Sequence, residues 1–157
     1  MDGYFNEAIK LARNGINNKE GGPFGAVVVD KLGRIVGLGN NQVLINNDPT
    51  AHAEVVAIRD ACRTLNTYDL TGCVVYTTSE PCPMCLSAII WSNIKEVYYG
   101  TNRKEVAQIG FRDDLIYNYL EKKQKDVIKV EKVENLGCKK LLNEYKHTIY
   151  WGEQWKN

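Results

Sequence analysis

The chain carries His52-Ala53-Glu54 and, further on, Pro81-Cys82-Pro83-Met84-Cys85. One imidazole and two thiols are three good zinc ligands, and the residues between them read as a helix, a turn and a buried strand. Structural zinc sites usually close with four protein ligands, whereas catalytic sites keep three and leave a position for water. Glu54 lies two residues from His52, placed to handle the protons of that water without binding the metal. The expectation is one zinc ion per subunit held by His52, Cys82 and Cys85, with Glu54 as the catalytic proton carrier.

Spacing adds a structural constraint. Helix neighbours on one face are three or four apart, so His52 and Glu54 cannot share a lateral face and converge only beyond a helix end. Asp48-Pro49-Thr50 offers such an end, with Asp48 or Thr50 as N-cap and Pro49 in the first turn. A second helix is predicted to begin at Ser79-Glu80-Pro81, putting Cys82 and Cys85 on one face of its opening turn. The positive end of a helix favours thiolates. The metal is therefore expected between two helix starts.

Other readings of these motifs exist. A Cys-x-x-Cys pair alone is compatible with a redox couple or with half of a structural zinc knuckle. The structural version needs a fourth ligand, for which His147, Cys62, Cys73 and Cys138 are available.

With 157 residues, the chain is read as a single domain spanning 1–157, long enough to enclose a buried site. Two of the five cysteines go to the metal, and the remaining three show no disulfide-like spacing, which points to a reducing cytoplasm. The N-terminus has no basic segment followed by an apolar one, so no signal peptide is read. No apolar run reaches membrane-spanning length, so no membrane partner is expected. A formal net charge of +1 argues against a nucleic-acid grip, which usually shows a strong basic excess. The charged stretch Glu121 to Glu134 mixes five Lys with four acidic residues and reads as a solvated face.

Taken in order, Phe5, Ala8, Ile9, Ala12 and Ile16 follow helical periodicity behind Asp2, a possible N-cap. Ala26-Val27-Val28-Val29 reads as a buried strand, Asp30 to Gly33 as a hairpin turn and Arg34 to Gly39 as its returning strand. Asn40 to Asp48 reads as loop, and the first metal helix is expected to bury Ala51, Val55, Ile58, Cys62 and Leu65. Cys73 to Thr78 and Lys95 to Gly100 read as strands joined through the second metal helix, a step that makes parallel neighbours. Asp113 to Leu120 suggests a short helix, Val127 to Val130 a fifth, edge strand, and Leu136 to Ile149 a helix before the aromatic tail Tyr150 to Trp155. The predicted fold class is α/β, a three-layer α/β/α domain with a mixed five-stranded sheet.

His-x-Glu followed by Pro-Cys-x-x-Cys is the signature of zinc nucleobase deaminases. The chain resembles the cytidine deaminase-like superfamily and, within it, looks like the bacterial guanine deaminases. The likeness rests on Gly22-Pro23-Phe24-Gly25-Ala26, Asn40-Asn41, Asn47 to Glu54, Ser79 to Cys85, Trp91, and Ile109-Gly110-Phe111 followed by acidic residues, over about the first 120 positions. It implies the α/β/α fold named above, zinc on His52, Cys82 and Cys85, and proton transfer by Glu54. It also implies that Asn41 hydrogen-bonds a purine, that Phe24 meets the ring face, that Asp113 sits near the exocyclic amine with Asp114 as neighbouring alternative, and that Trp91 walls the pocket. A homodimer is implied too, with the C-terminal segment of about residues 135–157 exchanged between subunits. Each substrate residue has a plainer explanation: Asn41 satisfying loop amides, Phe24 and Trp91 packing as core, Asp113 as a surface carboxylate.

The function so implied is hydrolytic deamination of guanine to xanthine and ammonia. Zinc brings the pKa of a bound water from about 15.7 to near 7, and Glu54 would pass its proton to N3 and then to the departing amino group. The rival readings are a wobble-adenosine deaminase acting on tRNA, a guanosine or aminopurine nucleoside deaminase, and a structural zinc module without activity.

Overall fold

The computed structural model describes residues 1–145. The chain divides into two compact units, Met1–Gln124 and Lys125–Asn157. The first contains helix α1 (Asp2–Asn17), strands β1 (Gly25–Val29) and β2 (Ile35–Asn40), the one-turn helix α2 (Val43–Asn46), α3 (Ala53–Leu65), β3 (Val74–Ser79), α4 (Pro83–Trp91), β4 (Glu96–Thr101), α5 (Arg103–Gln108) and α6 (Asp114–Leu120). The second contains α7 (Leu136–Tyr145).

The strands lie in the order β2-β1-β3-β4. β1 pairs antiparallel with β2 and with β3, Val28 facing Gly37 on one side and Val75 on the other. β3 and β4 run parallel, Val75 opposite Val97, as expected of two strands joined through a helix. All five residues of β1 are buried, because it is a central strand covered on both faces. Its side chains alternate between two clusters. Val27 and Val29 join Tyr76 against Tyr4, Phe5 and Leu11 of α1. Ala26 and Val28 pack with Val75 against Ala53, Ala57 and Ala61 of α3 and Ile89 of α4. This is the three-layer α/β/α arrangement that was predicted.

Among the described residues the sheet has four strands, not five. Val127 to Val130 forms no strand, and Ile128 and Val130 are 59% and 72% exposed. β-branched residues favour strands chiefly when they can pack on a half-buried pleated surface, and these have no such surface. Of the helix predicted from Leu136 to Ile149, the described part ends at Tyr145; Tyr150 to Trp155 lies outside the described residues.

Other boundaries and faces shift. α1 starts at Asp2 with Met1 in the cap position; Ala8 and Ala12 are buried, but Ile9 and Ile16 keep close to half their surface in solvent. The segment read as loop contains α2. Neither Asp48 nor Thr50 caps α3: Asp48 Oδ1 accepts from the Thr50 backbone N–H (2.8 Å) and hydroxyl (2.7 Å), and the cap position falls to His52. α3 buries Ala53, Glu54, Ala57 and Ala61 rather than the larger residues of the predicted stripe, of which Ile58, Cys62 and Leu65 flank the core half-buried. The cause is the closeness of β2: a Cβ on Gly37 would lie 2.3 Å from the Ala57 carbonyl oxygen, and one on Gly39 2.1 Å from that of Ala53. Only alanine fits the centre of such an interface.

Candidate active site

Two helix starts bring the metal-type ligands together. His52 is the extended N-cap residue of α3 (φ −68°, ψ 156°), and Cys82 holds the same position on α4 (φ −64°, ψ 167°), with Pro83 fixing the first turn behind it. α4 begins at Pro83 because Ser79 still belongs to β3. The Cys82 sulfur accepts from the Cys85 backbone N–H at 3.5 Å, so it serves as the helix cap while both sulfurs point off the helix end.

His52 Nδ1 lies 3.6 Å from Cys82 Sγ and 3.5 Å from Cys85 Sγ. A tetrahedral ion with Zn–S near 2.3 Å and Zn–N of about 2.0–2.1 Å requires N···S edges of about 3.6 Å. Both N···S separations thus match what zinc needs, and all three donor atoms lie within 4.8 Å of one another. Electrostatics agree. The Cys85 thiol, together with His52, pulls the Cys82 thiol down to about 4, while Cys85, hydrogen-bonded to Cys82 and buried, is pushed up. The neighbouring Cys82 sulfur raises the pKa of His52. One cation would balance both sulfurs at once. Cys73 is buried elsewhere in the core and Cys138 is exposed; among the described residues the group that can hold an ion is His52, Cys82 and Cys85 alone.

Glu54, in the first turn of α3, is only 6% exposed. Its Oε1 accepts from the Thr77 hydroxyl of β3 at 3.0 Å. Burial raises its pKa above the ordinary carboxyl value, and the Thr77 bond partly offsets this. A buried carboxyl poised in this way suits general acid-base work.

Both His52 and Glu54 face a cavity of about 520 Å³, within the range of small-molecule pockets. Phe24 and Phe111 form its aromatic wall, edge to face with centroids 5.0 Å apart. Gly21, Gly22 and Asn41 line it too, with Val43 and Leu44 around the start of α2. Asp113 lines it as well. It precedes α6 without spending its side chain as a cap, and burial raises its pKa above the usual carboxylate range.

A model of the cytidine and deoxycytidylate deaminase zinc-binding region matches residues 2–101. The chain belongs to this zinc-dependent deaminase family. It is 50% identical over 119 residues to the guanine deaminase of Bacillus subtilis, a span that covers 76% of each protein. The crystal structure of guanine deaminase from Bacillus subtilis superimposes with a TM-score of 0.89 and 40% identity over 97% of both chains. A tRNA-specific adenosine deaminase of Buchnera aphidicola is 36% identical over 124 residues, 78% of this chain and 79% of that one.

The deaminase fold gathers most of the residues singled out from sequence on one cavity: His52, Glu54, Cys82, Asn41, Phe24 and Asp113 line it, with Cys85 beside them. Asp113, not Asp114, occupies the wall, and Asp114 is exposed. Trp91 does not line this cavity. It ends the nine-residue α4, whose other end carries the cysteines, and is 66% exposed; at about 1.5 Å of rise per helix residue it lies roughly 9 Å along the axis from Cys85 and further from Cys82. Sequence reading assigned no role to Thr77, Phe111, Ser79 or Glu80. Thr77 sits mid-strand, where a threonine carries no local signal. Ser79 and Glu80 anchor the end of β3, Ser79 to the Thr101 hydroxyl (2.9 Å) and Glu80 to the Arg103 N–H (2.9 Å).

Proposed function

We propose that this deaminase converts guanine and water to xanthine and ammonia. The observation that carries the assignment is the 50% identity to a guanine deaminase over 119 residues, 76% of each protein. A cavity of about 520 Å³ with an aromatic side and a few polar groups suits a single planar base.

In this reading His52, Cys82 and Cys85 hold zinc, which when bound supplies a water acidified to a pKa of about 7. Glu54 would carry a proton from the attacking water to N3 of the base, making C2 electrophilic. The water oxygen bonds to C2. A second proton carried by Glu54 reaches the amino group, the C2–N bond breaks, and ammonia leaves. Asn41 donates to the purine edge, the Phe24 and Phe111 rings hold its face, and Asp113 accepts from the exocyclic amine.

The reading includes a homodimer with an exchanged C-terminal segment. Leu86, Ile90 and Trp91 of α4, 43%, 61% and 66% exposed, form an apolar surface of the kind that marks protein interfaces. Free thiols at all five cysteines support a cytoplasmic setting. No helix among the described residues is long and apolar enough to cross a membrane.

Ammonia release from guanine, guanosine, adenine, cytosine and cytidine, each offered separately to zinc-loaded protein, tests the proposal. Guanine is expected to be the substrate. Inosine formed in tRNA, with no release from guanine, would move the assignment to the adenosine deaminases of the same family.

A further inference from the structure

Asn41 is 6% exposed, and every part of it except one is tied down. Its backbone N–H donates to the Phe24 carbonyl (3.1 Å), and its Oδ1 accepts from the Val43 N–H (3.2 Å). Because a backbone N–H can only face an acceptor, that bond settles which end of the amide is oxygen. The Nδ2 group has no acceptor among the described residues, although the side chain lines the cavity. It is a donor held ready for a ligand.

What holds it there is the turn before β1. Glu20 Oε2 accepts from Asn40 Nδ2 at 2.6 Å, a charge-assisted bond. The same Nδ2 reaches the Asn41 carbonyl (3.2 Å), and Asn40 Oδ1 accepts from Gln42 Nε2 (3.2 Å). The Glu20 carbonyl accepts from the N–H groups of both Leu44 and Ile45 at 3.0 Å, anchoring α2. Gly21 backs directly onto Asn41: a Cβ there would lie 2.1 Å from its Oδ1 and 2.5 Å from its carbonyl oxygen. Glu20 itself does not line the cavity.

We propose that Glu20 is a positioning residue for purine recognition: through Asn40 and α2 it braces both sides of Asn41, aiming its amide N–H at a substrate acceptor, while the bare backbone of Gly21 forms the stop behind it. This deepens the guanine reading and rests on Asn41 binding the base.

The test is a double-mutant cycle on zinc-loaded enzyme, with metal content and thermal midpoint measured for every variant. Glu20→Ala is expected to raise KM for guanine about tenfold with kcat within about threefold, the signature of lost ground-state binding. Glu20→Gln, which keeps an acceptor for Asn40, should restore KM to within about threefold. Adding Glu20→Ala to Asn41→Ala should change KM by less than about twofold, since the two act as one unit. A rise below fivefold for Glu20→Ala, or effects that multiply in the double variant, overturns the proposal. A readout free of substrate keeps the two readings apart: the Asn41 side-chain amide cross-peak in ¹⁵N spectra, assigned by its loss in Asn41→Ala. It should move or broaden in Glu20→Ala and stay in place in Glu20→Gln. An unmoved cross-peak rejects the positioning role even if guanine is the substrate, and a wild-type enzyme inert toward guanine rejects the substrate while the cross-peak still decides the role of Glu20. If Glu20→Ala does not fold, Gly21→Ala carries the test, with the same rise in KM and the same displaced cross-peak expected.

Discussion

The Thr77 hydroxyl donates to Oε1 of Glu54 at 3.0 Å, and both side chains are buried. Its single proton has another acceptor in reach, the Gly25 carbonyl at 3.5 Å, but the carboxylate is nearer and carries the charge. A hydrogen bond to a charged group is worth roughly 1.5–3 kcal/mol. Thr77→Val keeps the shape and removes the donor, so kcat should fall about tenfold or more with zinc content unchanged. Thr77→Ser should retain most activity. Steady-state kinetics on both variants decide the matter; a fully active valine variant removes Thr77 from the machinery.

Glu54 and the metal ligands separate by their metal content. Glu54→Gln is expected to keep zinc and lose turnover by about 10² to 10⁴, the usual contribution of general acid-base transfer. Cys85→Ser should lose both, since it breaks the buried donor set. Zinc assayed beside ammonia release distinguishes the two, and near-normal activity in Glu54→Gln would falsify its role.

The seam between α3 and β2 sets where Glu54 sits. A methyl at position 39 would meet the Ala53 carbonyl oxygen at 2.1 Å and the Ala57 nitrogen at 2.5 Å, both backbone atoms. Gly39→Ala should therefore destabilise by about 1–3 kcal/mol or more and push the start of α3, with His52, away from Cys82 and Cys85. Chemical denaturation and zinc affinity should both register it; an unchanged midpoint would mean that the helix slides without cost.

Asp30 gives a pH-dependent expectation. Its carboxylate accepts from Arg34 Nε at 2.8 Å and from the Arg34 and Leu32 N–H groups at 2.9 Å. Arg34 above all holds its pKa below the ordinary 3.8. A depressed folded-state pKa contributes stability that is present above the unfolded value and disappears as pH falls through the folded one. Asp30→Asn should lower Tm by a few degrees at neutral pH, and the gap from wild type should close below about pH 4. A gap that stays constant across that range assigns the effect to shape rather than charge.

The sequence by itself determined the candidate donor set, the carboxyl of Glu54 beside it and the order of layers. His52, Cys82 and Cys85 were legible because their chemistry and their places at helix starts are local properties, and β1 because a continuous apolar run needs no partner to be recognised. Tertiary structure alone decided that α3 buries alanines, since the glycines of β2 that demand them lie in another segment. It alone set Thr77 against Glu54, chose Asp113 over Asp114, turned Trp91 outward and denied Val127 to Val130 a strand partner. Each of these depends on which residue from a distant stretch arrives opposite, and periodicity along one stretch carries no information about what another brings to meet it.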